Sequence, residues 1–206
     1  MSEIATLREA LIDEIRDLYN AERQLTKALP KMAKNATDPE LRSALSSHLK
    51  ETEGHVTRLE QVFKLLDEKP KGKLCDGMQG IIEEGNSMLE EVEEGAVMDA
   101  CIIAGGQRAE HYEMAAYGTC VAWAKALDLD DVARVLSQIL AEEKAADQKL
   151  SVIAEAGVNE AATTGLDDEN DEGDEPGAAR RKAAAAGPVA RSAKTARNGR
   201  DRNGRR

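Results

Sequence analysis

Aromatic side chains are nearly missing: one Phe, one Trp and three Tyr serve 206 residues. Any core must therefore be filled by Leu, Ile, Val, Met and Ala. Proline is scarce, five in all, and long windows lack it. With the high content of Ala, Leu, Glu, Lys and Arg, this favours helices and leaves almost no room for strand. Three cysteines, Cys75, Cys101 and Cys120, stand far apart with no Cys-x-x-Cys pair, which excludes a disulfide scaffold and fits a reducing compartment. They read as free thiols packed as small apolar groups. No apolar run approaches the roughly 20 residues of a membrane span, and MSEIATLREALIDEI lacks the basic stretch and apolar core of a signal peptide. The expected location is the cytoplasm.

The formal charge of -11 hides two opposed segments. Residues 160–175 (EAATTGLDDENDEGDE) are acidic without a basic residue, whereas 180–206 hold Arg180, Arg181, Lys182, Arg191, Lys194, Arg197, Arg200, Arg202, Arg205 and Arg206 against the lone Asp201. The apolar period vanishes after Asn159. Residues 1–159 are the expected folded domain, and 160–206 a disordered tail that cannot bury enough surface to offset its chain entropy.

The folded part reads as four long helices. The first, about Ile4 to Lys34, carries Leu7, Leu11, Ile15, Leu18, Glu22, Leu25, Leu29 and Met32 at alternating steps of three and four. Pro30 is expected to bend or fray its last turn. Thr37-Asp-Pro-Glu40 reads as a capping box with Pro in the first turn. It opens a second helix with the stripe Leu41, Leu45, His48, Thr52, His55, Leu59, Val62 and Leu66, and Glu51 one position off. Residues 70–95 form a Gly-punctuated crossover with a short helix around Met78, Ile81, Ile82, Met88 and Leu89. A third helix spans about Ala96 to Leu127. The fourth starts after Asp128 to Asp130, and Gly157 is its expected stop.

Four carboxylates lie at mirror-image positions in this pattern. Glu22 and Glu51 are each about 15 residues from the turn near Asn35 to Asp38, as Glu113 and Glu143 are from the turn near Asp128. At about 1.5 Å per residue in antiparallel helices, all four reach one level about 22 Å from their turns. Buried there unpaired, each would cost several kcal/mol unless a cation compensated. Carboxylate-bridged dimetal sites in bundles take one Glu from each of two helices and a Glu and a His, three residues apart, from each of the others. This chain offers Glu22, then Glu51 with His55, Glu110 with Glu113, and Glu143 with Asp147. Oxygen donors with few imidazoles favour two iron or manganese ions over zinc or copper. His48 reads as a core histidine rather than a ligand. Tyr19, Tyr112 and Tyr117 read as core residues, or as hydrogen-bond partners or electron donors to a metal.

The segments DLYNAERQLTKALPKM (17–32), HLKETEGHVTRLEQVF (48–63), AEHYEMAAYGT (109–119) and LAEEKAADQKL (140–150) resemble the YciE/YciF family of ferritin-like bacterial stress proteins. The likeness covers about residues 3–158. It implies an all-α, ferritin-like antiparallel four-helix bundle with a long crossover holding a short helix between helices 2 and 3, commonly dimeric, with a dimetal centre. The chain is similar more distantly to rubrerythrins, whose third helix has the Glu-x-x-Glu that Glu110 and Glu113 match. It departs from them where Gly54 stands at their second-helix His position, with His55 one later, and where Asp147 replaces an imidazole.

Two functions follow as expectations. One is a dimetal oxidoreductase or iron-handling protein in which Glu51 and Glu143 bridge metals that react with peroxide or dioxygen. The outcome is ferroxidase, peroxidase or catalase-like turnover. The other is a non-enzymatic stress protein that oligomerises or touches nucleic acid through its basic tail, whose charges contact phosphates without reading sequence. A second apolar edge, Ile12, Met98 and Ile102, marks a packing face for a homodimer.

Overall fold

Residues 4–164 are described in the computed structural model, and among them there are helices and no strand. The acidic and basic tail expected to be disordered lies outside the described residues from 165 onward. Helix α1 spans Leu7–Asn35, α2 Pro39–Leu65, α3 Asp76–Glu91, α4 Ala96–Ala126 and α5 Asp130–Ile153; a π-helical turn, Ala154–Val158, leads into α6, Asn159–Thr164. None of these helices is long and apolar enough to cross a membrane.

Local chemistry sets the ends. Helix α1 opens on a capping box in which the Thr6 hydroxyl accepts from the Glu9 amide at 3.2 Å and the Glu9 carboxylate accepts from the Thr6 amide at 2.9 Å. It continues through Pro30 to Asn35, so the expected fraying does not occur. The cap of α2 is Asp38 rather than Thr37: its carboxylate accepts from the Leu41 amide at 2.8 Å, with Pro39 at the first helical position. Thr37 is engaged elsewhere. Its amide donates to Asp99 of α4 at 2.7 Å, its hydroxyl donates to the other oxygen, and the Asp38 amide donates to that oxygen at 2.9 Å. Asp99 is buried, so this carboxylate ties the α1–α2 turn to the start of α4.

Contacts along α1 and α2 run in opposite directions: Arg8 reaches the Leu66 carbonyl, Tyr19 the Glu60 carboxylate and Glu22 the ring of His55. Helix α1 packs on α2 and α4, and α5 packs on the same two, which closes a ring of four long helices. The crossover helix α3 lies on α4 and α1, buries Met78, and comes close at Gly77, where a Cβ would sit 2.6 Å from the Tyr112 ring. Because α4 is covered by α1, α3 and α5, its apolar residues spread around it instead of forming one stripe.

The core has two apolar clusters. One gathers Leu11, Ile15, Leu18, Leu59, Phe63, Tyr117 and Ile139, the other Leu25, Leu29, Leu45, Met78, Ile103 and Leu150. Ile12, Met98 and Ile102, read from sequence as an outer edge for a dimer, belong to these clusters at 5%, 4% and 3% exposure. They are closed off inside the chain and offer no outer face. Gly157 does not stop the last helix either. The path kinks there within the π-helical turn, and the helix resumes beyond the expected boundary at Asn159.

Candidate metal centre

Where the two apolar clusters meet, the ring of helices carries a layer of buried ionisable side chains. Helix α1 contributes Glu22, α2 His48 and His55, α4 Glu110 and Glu113, and α5 Glu143, none of them more than 8% exposed. The ligating atoms of Glu22, His55 and Glu143 all lie within 4.8 Å of one another, and so do those of His48, Glu110 and Glu143. Glu143 is common to both triads. Glu113, fully buried beside them, leaves both oxygens without a hydrogen-bond partner.

Such unsatisfied atoms are costly. Both oxygens of Glu143, one of Glu22, one of Glu110 and the Nδ1 of His55 are likewise buried with no hydrogen bond. His55 Nδ1 stands 2.9 Å from Glu143 and 3.2 Å from Glu22, yet neither contact has hydrogen-bond alignment. A buried polar atom without a partner costs about 1–3 kcal/mol, more when charged. Four carboxylates and two imidazoles match two divalent cations in charge when the imidazoles are neutral, so the donor set fits a pair of hard metal ions.

Each imidazole has its second nitrogen held from outside this layer. His55 Nε2 pairs with Glu142 at 2.9 Å, and Glu142 is gripped through both oxygens by the Arg58 guanidinium. His48 Nδ1 meets Glu51 at 3.4 Å, while its Nε2 lies 3.1 Å from Glu110. Metal-bound histidines commonly donate their other ring N–H to a carboxylate in this way. Tyr117, fully buried, donates its hydroxyl to Glu22.

Crowding of buried charge shifts the titration of Glu113, Glu143, His48, His55 and Tyr117. Burial, with the charges of Glu22, Glu143 and Glu110, pushes the Glu113 carboxyl well above the usual range. Burial also raises Glu143, to about 7, against the opposing pull of its contact with His55. For His48, burial acts downward but is outweighed by Glu110, with Glu143 and Glu51, which lift the ring to about 9. His55 behaves alike: Glu143 and Glu22 overcome burial and hold it near 11. Burial and the same carboxylates drive the Tyr117 phenol up, so its proton stays on.

Of the residues expected as ligands, the structure brings together Glu22, His55, Glu110, Glu113 and Glu143. Glu51 does not join them. Its side chain is 47% exposed on the flank of α2, where it holds His48. Asp147 lies apart too, accepting from Gln107 and facing the exposed His111 at 3.3 Å. His48 was missed, although it stands on the strict stripe of α2 and Glu51 does not. Glu142 and Arg58 carried no periodic signal, because both lie off the core face. Tyr19 pairs with Glu60 and packs on Phe63, and Tyr112 bonds Asp17 and Cys75, so neither reaches the layer. Cys75 caps α3 and its thiol is pushed up to about 11 by burial, as expected of a structural cysteine.

The family model described as a domain of unknown function, DUF892, matches residues 6–163. Protein YciF of Escherichia coli K12 is 40% identical over 158 residues, covering 76% of this chain and 95% of YciF. The crystal structure of the E. coli stress protein YciF superposes with a TM-score of 0.73 and covers 76% of this chain and 99% of that one. YcfI from Rhodopseudomonas palustris, provisionally described as a structural protein, is similar at 47% identity and a TM-score of 0.71, over 72% of this chain and 95% of its own. A protein from Xanthomonas campestris, 21% identical with a TM-score of 0.59 over 80% of this chain and 99% of its own, shares the fold alone.

Proposed function

This chain belongs to the YciF-like family described as DUF892, and from that membership and the geometry of its core we propose a ferritin-like stress-response protein built around a carboxylate-bridged dimetal centre. In this reading the ring of four long helices is a four-helix bundle. Glu22, His55 and Glu143 hold one ion, His48, Glu110 and Glu143 the other, and Glu113 completes the set. The observation that carries the proposal is the group of buried, unpartnered oxygens in one layer, together with two imidazoles whose outer nitrogens are fixed by carboxylates.

Iron or manganese bound there would supply one-electron redox chemistry toward peroxide or dioxygen. The chain's own residues prepare the place for it. Glu142, held by Arg58, fixes His55 so that Nδ1 faces Glu22 and Glu143. Tyr117 keeps its proton at the Oη beside Glu22 and so holds that carboxylate in place. The apolar clusters on either side bury the layer between them. No Cys-x-x-Cys pair stands in the sequence to relay electrons, so the reductant must come from another molecule.

The test is consumption of hydrogen peroxide and of dioxygen by protein loaded anaerobically with ferrous or manganous ion. Consumption faster than by the same free ions, and lost in Glu22→Ala, supports the reading. Metal uptake with no acceleration overturns the reactivity. No uptake at all leaves the interaction role, with the basic 180–206 segment as its instrument.

A further inference from the structure

A cavity of about 190 Å³ opens beside the ionisable layer, bounded by α1, α2, α3, α4 and α5. Its walls are apolar: Leu25, Leu29, Met32, Leu45, Ile82 and Leu150. One end is polar, where His48, Glu51 and Glu110 line it. Gly85 and Gly105 are among its lining residues, and a Cβ built at either would meet no atom within 4 Å, so each has room for a side chain. A glycine inside a helix costs about 1 kcal/mol relative to Ala, so Gly105, in the middle of α4, is expensive for a position with space to fill.

We infer that this cavity binds a small neutral amphipath, with a hydrocarbon body against the apolar walls and a hydroxyl or hydroperoxide end at Glu110. Three features identify the occupant. An apolar cavity of about 150 Å³ accepts benzene while staying free of water, so this one suits a ring or a chain of roughly six to eight carbons and is far too small for a helix of another protein. Glu110 is 3% exposed and lines the polar end; with Oε1 facing His48, its Oε2 can accept from an O–H donor while no ion is bound there. Glu51, Glu110 and Glu142 outnumber the cations that line the cavity, His48 and the exposed Lys149, so a carboxylate end is disfavoured and an uncharged one is not. The inference names the substrate class of the proposed centre, an organic hydroperoxide or its alcohol, and for that step it rests on the metal reading. Hydrocarbon binding itself does not.

The test uses the full chain, metal-free and metal-loaded in parallel, titrated with octanol and with octanoate while the methyl resonances of Met32 and Met88, both lining the cavity, are followed. Saturable shifts with octanol, at least tenfold weaker response to octanoate, and loss of the octanol response in Gly105→Leu with unchanged metal content are expected. Gly85→Leu, at a lining position on α3, serves if the first variant does not fold. Absence of a saturable octanol response, equal binding of octanoate, or undiminished binding by a folded glycine variant overturns the inference. Because metal content is measured separately, failure of the centre and failure of the cavity give different results.

Discussion

Glu143→Gln should stabilise the metal-free protein while abolishing metal retention. Folding raises the Glu143 carboxyl from 4.5 to about 7, chiefly by burial and the charges of Glu22 and Glu110, against the pull of His55. A group whose pKa rises on folding binds protons more tightly in the folded chain, so its cost is absent below the unfolded value and grows as pH rises through the folded one. At about 1.4 kcal/mol per pH unit, the ionisable side chain costs about 3 kcal/mol above neutrality and less than about 1 kcal/mol at pH 5. Glutamine, isosteric and never ionised, removes that cost together with the support Glu143 gives to protonated His55, so the figure is the upper limit of the gain. For a domain of this size about 3 kcal/mol is roughly 6–12 °C in Tm. The assay is thermal and urea unfolding of chelator-treated protein at both pH values, repeated with saturating metal. With metal the order should reverse, because the parent gains binding energy that the variant has lost. A variant no more stable than the parent above neutrality, or equally favoured at pH 5, would refute the reasoning.

Glu142→Ala should free the ring of His55 and lower metal affinity roughly 10–100-fold, the usual effect of losing a carboxylate behind a ligand histidine; competition with a chromophoric chelator reads it, and unchanged affinity would mean that His55 is held otherwise. Asp99→Ala strips the partner from the Thr37 and Asp38 amides and should cost about 2–4 kcal/mol. Urea midpoints would check that loss, with metal stoichiometry expected to stay at the parental value because Asp99 is outside the layer.

Helix order, the crossover helix and the level of the buried carboxylates were legible because long amphipathic periods and turn residues dominate this chain. The failures have local causes. At about 100° per residue, Glu51 falls to the flank of the stripe that carries His48, Thr52 and His55, so its height along the helix was right and its direction was not. Asp147 lies on nearly the face of Glu143 but about 6 Å further along α5, where it accepts from Gln107 outside the layer. Thr37 had the spacing of a capping residue, but a buried carboxylate sixty-two positions away claimed it, a long-range contact no local pattern announces. Ile12, Met98 and Ile102 looked like a second face, but Ile12 packs in the cluster around Phe63 and Tyr117, and Met98 and Ile102 in the one around Met78.

Metal content per chain after anaerobic loading and gel filtration, measured on the parent, on Glu51→Ala and on a Glu22→Ala, Glu143→Ala double variant, tests the centre most directly. The account predicts about two ions in the parent, nearly as many in Glu51→Ala, and few in the double variant. A parent that retains no metal, or a double variant that retains as much as the parent, would contradict it.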